Sequence, residues 1–122
     1  MAKIMIVDDD AGATSMLERL MRMEGHVPTA INESKLVMGV ADIIKPDLFI
    51  LDLMMPEPTG FQLCRMLREK EHFESTPIII LTALDDNDSK IVAFGAGASD
   101  FINKPFRVDD LLQKIRSWLI SA

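Results

Sequence analysis

Five short apolar runs alternate along the chain with segments whose apolar residues recur at helical spacing, and this alternation most restricts how the chain can fold. The runs are continuously apolar, which is typical of parallel strands that helices cover on both faces. A strand that pairs with a parallel neighbour needs a crossover connection, and a helix between the two supplies it. The pattern predicts a doubly wound α/β domain, a five-stranded parallel sheet with five helices.

The first half of the chain divides at turn residues. Residues 4–7 form the first predicted strand, and the apolar spacing after them predicts a helix that ends at Gly25. Residues 26–31 form a weaker strand, which Pro28 places near an edge because proline cannot donate to a strand ladder. Asn32 is then expected to cap the second helix, since asparagine is a preferred N-cap residue.

The second half repeats the pattern. Residues 48–51 are predicted to form the central strand, and the next helix is expected to cover about 60–70. Residues 77–81 and 101–102 are the fourth and fifth predicted strands, and the last helix follows Pro105.

Length and charge exclude several classes of function. Because 122 residues make one domain of common size, residues 1–122 are expected to form a single domain. The net charge of −6 opposes direct binding to nucleic acid or to an anionic membrane. One cysteine permits no internal disulfide, and no segment resembles a membrane span or a secretory signal, which favours a cytoplasmic location.

Polar residues stand where the predicted strands end. Asp8–Asp10 follow the first strand, Asp52 the third, Thr82 the fourth and Lys104 the fifth. In an open parallel sheet these ends meet at the crevice where ligands bind. Carboxylates gathered there repel one another unless a hard cation neutralises them, which points to Mg²⁺ or Mn²⁺. A lysine and a threonine opposite such carboxylates make a constellation for phosphoryl transfer.

The chain resembles the receiver domains of two-component response regulators at these positions. The resemblance covers nearly the whole chain, and the joint occurrence of its segments is more specific than any one of them. The segments are Val7–Asp10, Leu51–Pro56 with Gly60, Leu81–Ala83, Gly97–Ala98 and Lys104–Phe106. The resemblance implies a flavodoxin-like topology and a signalling domain that catalyses only its own phosphorylation and dephosphorylation.

The resemblance also implies a phosphoacceptor and a set of metal ligands. Asp52 corresponds to the phosphoacceptor and is itself a ligand of the cation. Asp9 corresponds to a direct ligand, Asp8 to a ligand that acts through water, and Met54 to the residue whose backbone carbonyl binds the cation. Mg²⁺ is the expected cation, with Mn²⁺ as the alternative.

A switch is implied as well. Thr82 and Lys104 would bind the phosphoryl group, and Thr82 would act with Phe101, the aromatic switch residue. The family often has tyrosine at this position, so Phe101 keeps the aromatic bulk without the hydroxyl group. The readout is expected on the surface formed by the fourth helix, the fifth strand and the fifth helix.

The expected partners follow from the same resemblance. A histidine kinase or a phosphotransfer protein would donate the phosphoryl group, and an output domain or a downstream protein would receive the signal. Direct contact with nucleic acid or with a membrane is not expected. The charges on the expected readout surface partly resemble the dimer-forming pattern of transcription-factor receivers, so a phosphorylation-dependent homodimer is an alternative to a monomeric switch. These charges are Lys90, Asp100, Asp110 and Lys114.

Two residues bear on the lifetime of the phosphoryl group. In this family the residues two positions after the phosphoacceptor and two after the threonine flank the water that attacks the acyl phosphate. Here they are Met54 and Leu84, whose apolar side chains offer no acceptor for the proton of that water. We therefore expect slow autodephosphorylation.

Two other functions are alternatives. An aspartyl-nucleophile phosphohydrolase would use the spacing of Asp8 and Asp10, but Gly12 stands where that family has threonine or valine, and the chain leaves no room for a cap domain. A flavodoxin-like electron carrier would hold a phosphate in its first loop through serine, threonine and backbone donors. Three aspartates in that loop would repel the phosphate.

Overall fold

A computed structural model describes residues 1–121 of the chain, and it forms a five-stranded parallel sheet in the order β2-β1-β3-β4-β5. Helices cover both faces of the sheet, which confirms the predicted doubly wound α/β class. The elements are β1 Lys3–Val7, α1 Ala11–Met23, β2 Val27–Ile31, α2 Val37–Ile44, β3 Leu48–Leu51, α3 Gly60–Arg68, β4 Ile78–Thr82, α4 Asn87–Gly95, β5 Asp100–Asn103 and α5 Val108–Ser121.

The register of the sheet places the carboxyl ends of the strands side by side. Val7 of β1 is level with Leu51 of β3, and Leu51 is level with Ile80 of β4. Thr82, the last residue of β4, is level with Asn103 at the end of β5. The residues that follow these positions therefore emerge at one edge of the sheet.

Two apolar clusters fix the sheet between its helices. Successive side chains of a strand point to opposite faces, so β3 contributes Phe49 and Leu51 to one cluster and Leu48 and Ile50 to the other. All four residues of β3 are buried, which confirms that this strand is central. β2, which contains Pro28, lies at an edge as predicted.

The expected N-cap of the second helix is wrong. A short 3₁₀ turn, Ser34–Leu36, precedes α2, and the residue at the cap position is Leu36, which makes no side-chain capping bond. Asn32 instead directs its side chain toward the loop after β1. The third helix also ends earlier than expected, at Arg68.

The start of α3 packs directly on the backbone that carries Asp52. Thr59 and Gln62 form a capping box, in which each side chain accepts a hydrogen bond from the backbone amide of the other residue. The amide of Gly60 donates to the carbonyl of Leu53 at 3.2 Å. A Cβ atom at position 60 would collide with the carbonyl oxygen of Asp52 and with Cα of Leu53. The glycine therefore permits this close approach.

Arg68 joins the loops at the amino ends of β4 and β5, opposite the carboxyl edge of the sheet. Its guanidinium donates to the carbonyls of Phe73 and Gly97 and to the hydroxyl of Ser99. Gly97 has a φ of +112°, and a Cβ atom there would also meet the Arg68 side chain. The Ser99 hydroxyl in turn accepts from the amide of Ile78, at the start of β4. These bonds join the loops that lead into β4 and β5.

None of the described helices is both long enough and apolar enough to cross a membrane.

We predict that Gly60→Ala lowers the free energy of unfolding by about 1–3 kcal/mol, because the added methyl group collides with backbone atoms that cannot rotate away. Urea denaturation followed by circular dichroism measures this loss. Gly39→Ala is the matched control: a Cβ atom at this position of α2 meets nothing within 4 Å, so alanine should stabilise the helix by about 0.5–1 kcal/mol. Equal stability of parent and Gly60→Ala would contradict the close approach.

Candidate functional site

Four polar residues converge at the carboxyl edge of the sheet. Asp8 follows β1, Asp52 follows β3, Thr82 ends β4 and Lys104 follows β5. The fractional exposures of Asp8, Asp52 and Thr82 are 4%, 8% and 0%. The structure therefore brings together the four strand ends from which the sequence predicted a site.

One ammonium group bridges two buried carboxylates. Lys104 Nζ lies 2.6 Å from Oδ2 of Asp8 and 3.2 Å from Oδ2 of Asp52. The peptide bond between Lys104 and Pro105 is cis. The lysine is thus the counter-ion shared by the ends of β1 and β3.

Backbone amides satisfy the second oxygen of each carboxylate. The amide of Asp10 donates to Oδ1 of Asp8 at 2.9 Å, and the amide of Met54 donates to Oδ1 of Asp52 at 3.1 Å. The Asp10 side chain has a different task, since it accepts from the amides of Gly12 and Ala13 as the N-cap of α1. Asp10 is therefore a structural residue, which removes the second aspartate that the phosphohydrolase alternative needs.

Burial and charge act against each other at this site. Burial raises the pKa of Asp8, and the negative charge of Asp52 adds to that effect, while Lys104 and the Asp10 amide oppose it; the net pKa is raised. Burial alone would lower the pKa of Lys104, but its two carboxylate partners raise the pKa above the ordinary lysine value. Lys104 therefore stays charged at neutral pH, and the site retains an excess of negative charge.

The donor chemistry of the site fits a hard divalent cation. Asp8, Asp9 and Asp52 offer carboxylate oxygens, and the excess negative charge favours a cation. Asp9 is exposed, unlike the other two. Within the described residues no three Asp, Glu, His or Cys side chains already form a metal cage, and Lys104 occupies the space between Asp8 and Asp52.

Thr82 is linked to the loop after β4. Its hydroxyl accepts from the amide of Leu84 at 3.4 Å, a long hydrogen bond. The carbonyl of Leu84 is held more firmly, since the side chain of Asn103 donates to it at 2.7 Å. The amide of Lys104 donates to the carbonyl of Thr82 at 2.8 Å. The Thr82 hydroxyl and the Lys104 ammonium group thus lie at the ends of two neighbouring strands, β4 and β5, which are hydrogen-bonded to each other.

Phe101 lies half-buried between the sheet and α4. Its ring is 6.5 Å from the ring of Phe94, and Lys90 Nζ lies 5.7 Å from its centroid. The ring packs against the same apolar cluster as Leu84. The proposed aromatic switch and the loop that follows Thr82 therefore rest on one surface.

Two of the charges expected on the readout surface, Asp100 and Lys114, pair with each other within the chain. The carboxylate of Asp100 accepts from Lys114 Nζ at 3.2 Å and from the indole of Trp118 at 3.0 Å. Burial alone would raise the pKa of Asp100, but hydrogen bonds from the Trp118 indole, the Phe101 amide and Lys114 hold this pKa below its usual range. On α4, the large apolar side chains of Ile91 and Phe94 are exposed.

Sequence reasoning missed two asparagines that bind the site loops. Asn32 donates to the carbonyl of Asp8, and Asn103 donates to the carbonyl of Leu84. Each bond joins residues that are distant in the chain, and no local pattern distinguishes these asparagines from others. Only the position of each at the end of a predicted strand could have drawn attention to them.

The family model that describes response regulator receiver domains matches residues 4–116 of the chain. The chain therefore belongs to the receiver domains of two-component response regulators, a family of signalling domains. This membership confirms the resemblance, and with it the flavodoxin-like topology expected from the sequence.

Particular relatives agree with the assignment. The chain is 37% identical over 120 residues to the DNA-binding dual master transcriptional regulator RpaA of Synechocystis, covering 98% of this chain and 49% of that protein. It is 38% identical over 120 residues to the response regulator ArlR of Staphylococcus epidermidis, covering 98% and 53%. The chain thus spans about half the length of these curated relatives.

Solved structures show the same fold. A putative response regulator from Chloroflexus aurantiacus superposes with a TM-score of 0.92 at 31% identity, covering 98% of each chain. The chemotaxis protein CheY4 of Vibrio cholerae superposes with a TM-score of 0.91 at 26% identity, covering 96% of this chain and 98% of that one.

We predict that Lys104→Met lowers the free energy of unfolding at pH 7.5 by about 2–3 kcal/mol, because Asp8 and Asp52 lose their shared counter-ion. The pKa of Asp8 is already raised from 3.8 and should rise further without the lysine. A carboxyl group whose pKa is higher in the folded state than in the unfolded state destabilises the fold fully at pH values above the folded-state pKa. This destabilisation disappears below the ordinary value of 3.8, because the group is then protonated in both states. The difference from the parent should therefore shrink as the pH falls toward 4.

Urea titrations of parent and variant at several pH values measure this difference. Lys70→Met is the matched control, because Lys70 pairs with Asp42 at 3.0 Å while both side chains are about half exposed, and such pairs contribute less than about 1 kcal/mol. A pH-independent difference for Lys104→Met would mean that the lysine does not act through the two carboxylates.

Proposed function

We propose that Asp52 accepts a phosphoryl group from a histidine kinase or a phosphotransfer protein in a Mg²⁺-dependent reaction. The observation that carries this proposal is the bridge from Lys104 to the buried carboxylates of Asp8 and Asp52. It joins by hydrogen bonds the three side chains to which we assign these roles: Asp52 as the nucleophile, Lys104 as the cation that would bind the phosphoryl group, and Asp8 as a metal ligand.

The proposed reaction is a direct phosphoryl transfer. A carboxylate oxygen of Asp52 attacks phosphorus, a P–O bond forms, and the bond from phosphorus to the donor nitrogen breaks. The leaving imidazole keeps the electron pair of that bond and takes up a proton. The product is an acyl phosphate on Asp52.

Asp52 would act as the nucleophile, and the other site residues would bind the cation or the phosphoryl oxygens. Receiver domains generally use Mg²⁺, which would neutralise phosphoryl charge here, and its proposed ligands are Asp8, Asp9, Asp52 and the backbone carbonyl of Met54. Lys104, released from its pairing with Asp52, would pair with a phosphoryl oxygen. The Thr82 hydroxyl would donate to another.

The switch would begin at Thr82. A hydroxyl that donates to the phosphoryl group must reorient, and its 3.4 Å contact with the Leu84 amide is the weak point of the present arrangement. Leu84 of the loop after β4 and the Phe101 ring pack against the same apolar cluster, so we propose that a shift of the loop changes the space open to the ring. The readout would reach an output domain or a downstream protein through the face of α4, β5 and α5, or would produce a homodimer.

The Synechocystis relative is named as a DNA-binding regulator, but we do not propose DNA binding for this chain. That protein is about twice as long as the part matched here, and this chain carries a net charge of −6. We propose that any contact with DNA in a longer regulator is made outside the receiver domain, and that the domain works in the cytoplasm.

We predict that acetyl phosphate and Mg²⁺ add one phosphoryl group to the parent, as measured by intact mass, and add none to Asp52→Asn, because an amide nitrogen is no nucleophile for phosphorus. Chelation of Mg²⁺ should prevent the addition. Asp10→Asn is the matched control, since asparagine is an equally good N-cap and should leave both the fold and the phosphorylation in place.

Phosphorylation that survives in Asp52→Asn, or that needs no divalent cation, would contradict this assignment. Phosphorylation lost in Asp10→Asn together with steady turnover of phosphate esters by the parent would instead favour the phosphohydrolase.

We also predict a long-lived acyl phosphate. Met54 is 54% exposed beside Asp52, and Leu84 follows Thr82 by two positions, so polar side chains there would meet the attacking water. Met54→Asn and Leu84→Glu should each speed the decay of the phosphorylated form, by up to about 10²-fold. Decay is followed by intact mass after removal of the donor.

Met66→Asn provides the control, because this partly exposed methionine of α3 lines a surface cavity that includes neither Asp52, Thr82 nor Lys104, and its replacement should leave the decay rate unchanged. Faster decay in the parent than in both site variants would show that the apolar side chains do not protect the phosphoryl group.

A further inference from the structure

Asn32 follows β2 and uses both hydrogens of its side-chain amide. Nδ2 donates at 2.9 Å to the backbone carbonyl of Asp8 and at 2.9 Å to the hydroxyl of Thr14. Neither contact belongs to a helix cap. The asparagine instead joins the end of β2 to the loop that carries the three consecutive aspartates.

The carbonyl that Asn32 binds belongs to the peptide between Asp8 and Asp9. On the other side of Asp8, the backbone amide donates to the carbonyl of Ile31 at 3.2 Å. Asp8 is thus attached to the end of β2 at both its amide and its carbonyl. The orientation of the next peptide plane, from which Asp9 projects, is set by the second of these attachments.

Thr14 extends the attachment into α1. Its side chain is buried, and its hydroxyl accepts from Asn32 while donating to the carbonyl of Ala11 at 3.1 Å. The chain of polar contacts therefore runs from β2 through Asn32 to the first turn of α1. Both ends of the loop are tied to the same side chain.

Of the three aspartates, Asp9 depends most on this backbone. Lys104 holds the carboxylate of Asp8, and the amides at the start of α1 hold that of Asp10. The Asp9 carboxylate has no hydrogen-bond partner among residues 1–121, and it is exposed next to two other negative charges. Its direction is therefore determined by the peptide that Asn32 fixes.

We propose that Asn32 is a positioning residue for cation binding by Asp8 and Asp9. This inference rests on the proposed Mg²⁺ site and assigns to Asn32 the task of keeping the Asp8–Asp9 peptide in the orientation that presents both carboxylates to one ion. A ligand pair held in advance loses less conformational freedom when the ion binds.

The test is the Mg²⁺ affinity of the full chain, measured by titration calorimetry without any phosphoryl donor. Asn32→Ala removes both donors and should weaken binding about tenfold, the lower end of the range for groups that orient metal ligands. Thr14→Val removes one acceptor with little change of volume and leaves the bond to the Asp8 carbonyl, so it should weaken binding by a smaller factor.

Ser99→Ala is the control for a general loss of stability. It removes the hydrogen bonds of Ser99 to Arg68 and to the amide of Ile78, at the end of the sheet opposite the aspartates. We expect this variant to be less stable than the parent in urea and to bind Mg²⁺ with the parent's affinity. A purely structural role of Asn32 would predict the same behaviour for Asn32→Ala.

The outcomes separate the two proposals. The positioning role alone is overturned if the parent binds Mg²⁺ and folded Asn32→Ala binds it with the same affinity. It is also overturned if Asn32→Ala and Ser99→Ala lose Mg²⁺ affinity equally. Absence of Mg²⁺ binding by the parent would overturn the metal site in the proposed function and this inference with it. If Asn32→Ala does not fold, Thr14→Val decides, and parent-like affinity in that variant overturns the inference.

Discussion

Two carboxylates, those of Asp8 and Asp52, lie buried at one edge of the sheet with a single ammonium group between them. Burial disfavours their charges, and their mutual repulsion adds to that cost, which Lys104 and two backbone amides offset with compensating bonds. The same arrangement leaves the site with excess negative charge. The burial and mutual repulsion of the two carboxylates therefore destabilise the fold, and the same negative charge favours binding of a cation.

The backbone around the carboxylates is held by contacts from neighbouring elements. Gly60 allows α3 to approach the carbonyl of Asp52, and Asn32 and Asn103 each bind a loop carbonyl from the end of an adjacent strand. Such contacts position reacting groups without touching them, which is how a rigid sheet presents side chains that lie on loops. The hydroxyl of Thr82, by contrast, has only a long bond to its loop, so this part of the site is the easiest to rearrange.

Most of the fold and the centre of the site were predictable from local patterns. Residue patterns along the chain located nine of the ten main elements of the described residues, and the fourth helix was expected only from the five-helix architecture. The aspartates, threonine and lysine at the strand ends pointed to one crevice. The role of Asn32 was predicted wrongly, because an asparagine before a helical pattern is a frequent cap and its competing partners lie 18 and 24 residues away. The contacts of Asp100 with Lys114 and Trp118 were missed for the same reason.

The sequence by itself determined the order of the elements, the central place of β3 and the residue types that reach the carboxyl edge, because these depend on hydrophobic period and on the parallel connection of strands. Only the tertiary structure decided which of those residues touch. Lys104 and Asp8 are separated by 96 residues, and their 2.6 Å contact exists because the register of β1, β3, β4 and β5 brings the strand ends level. Contacts of this kind depend on the packing of the whole sheet, which no local run of residues encodes.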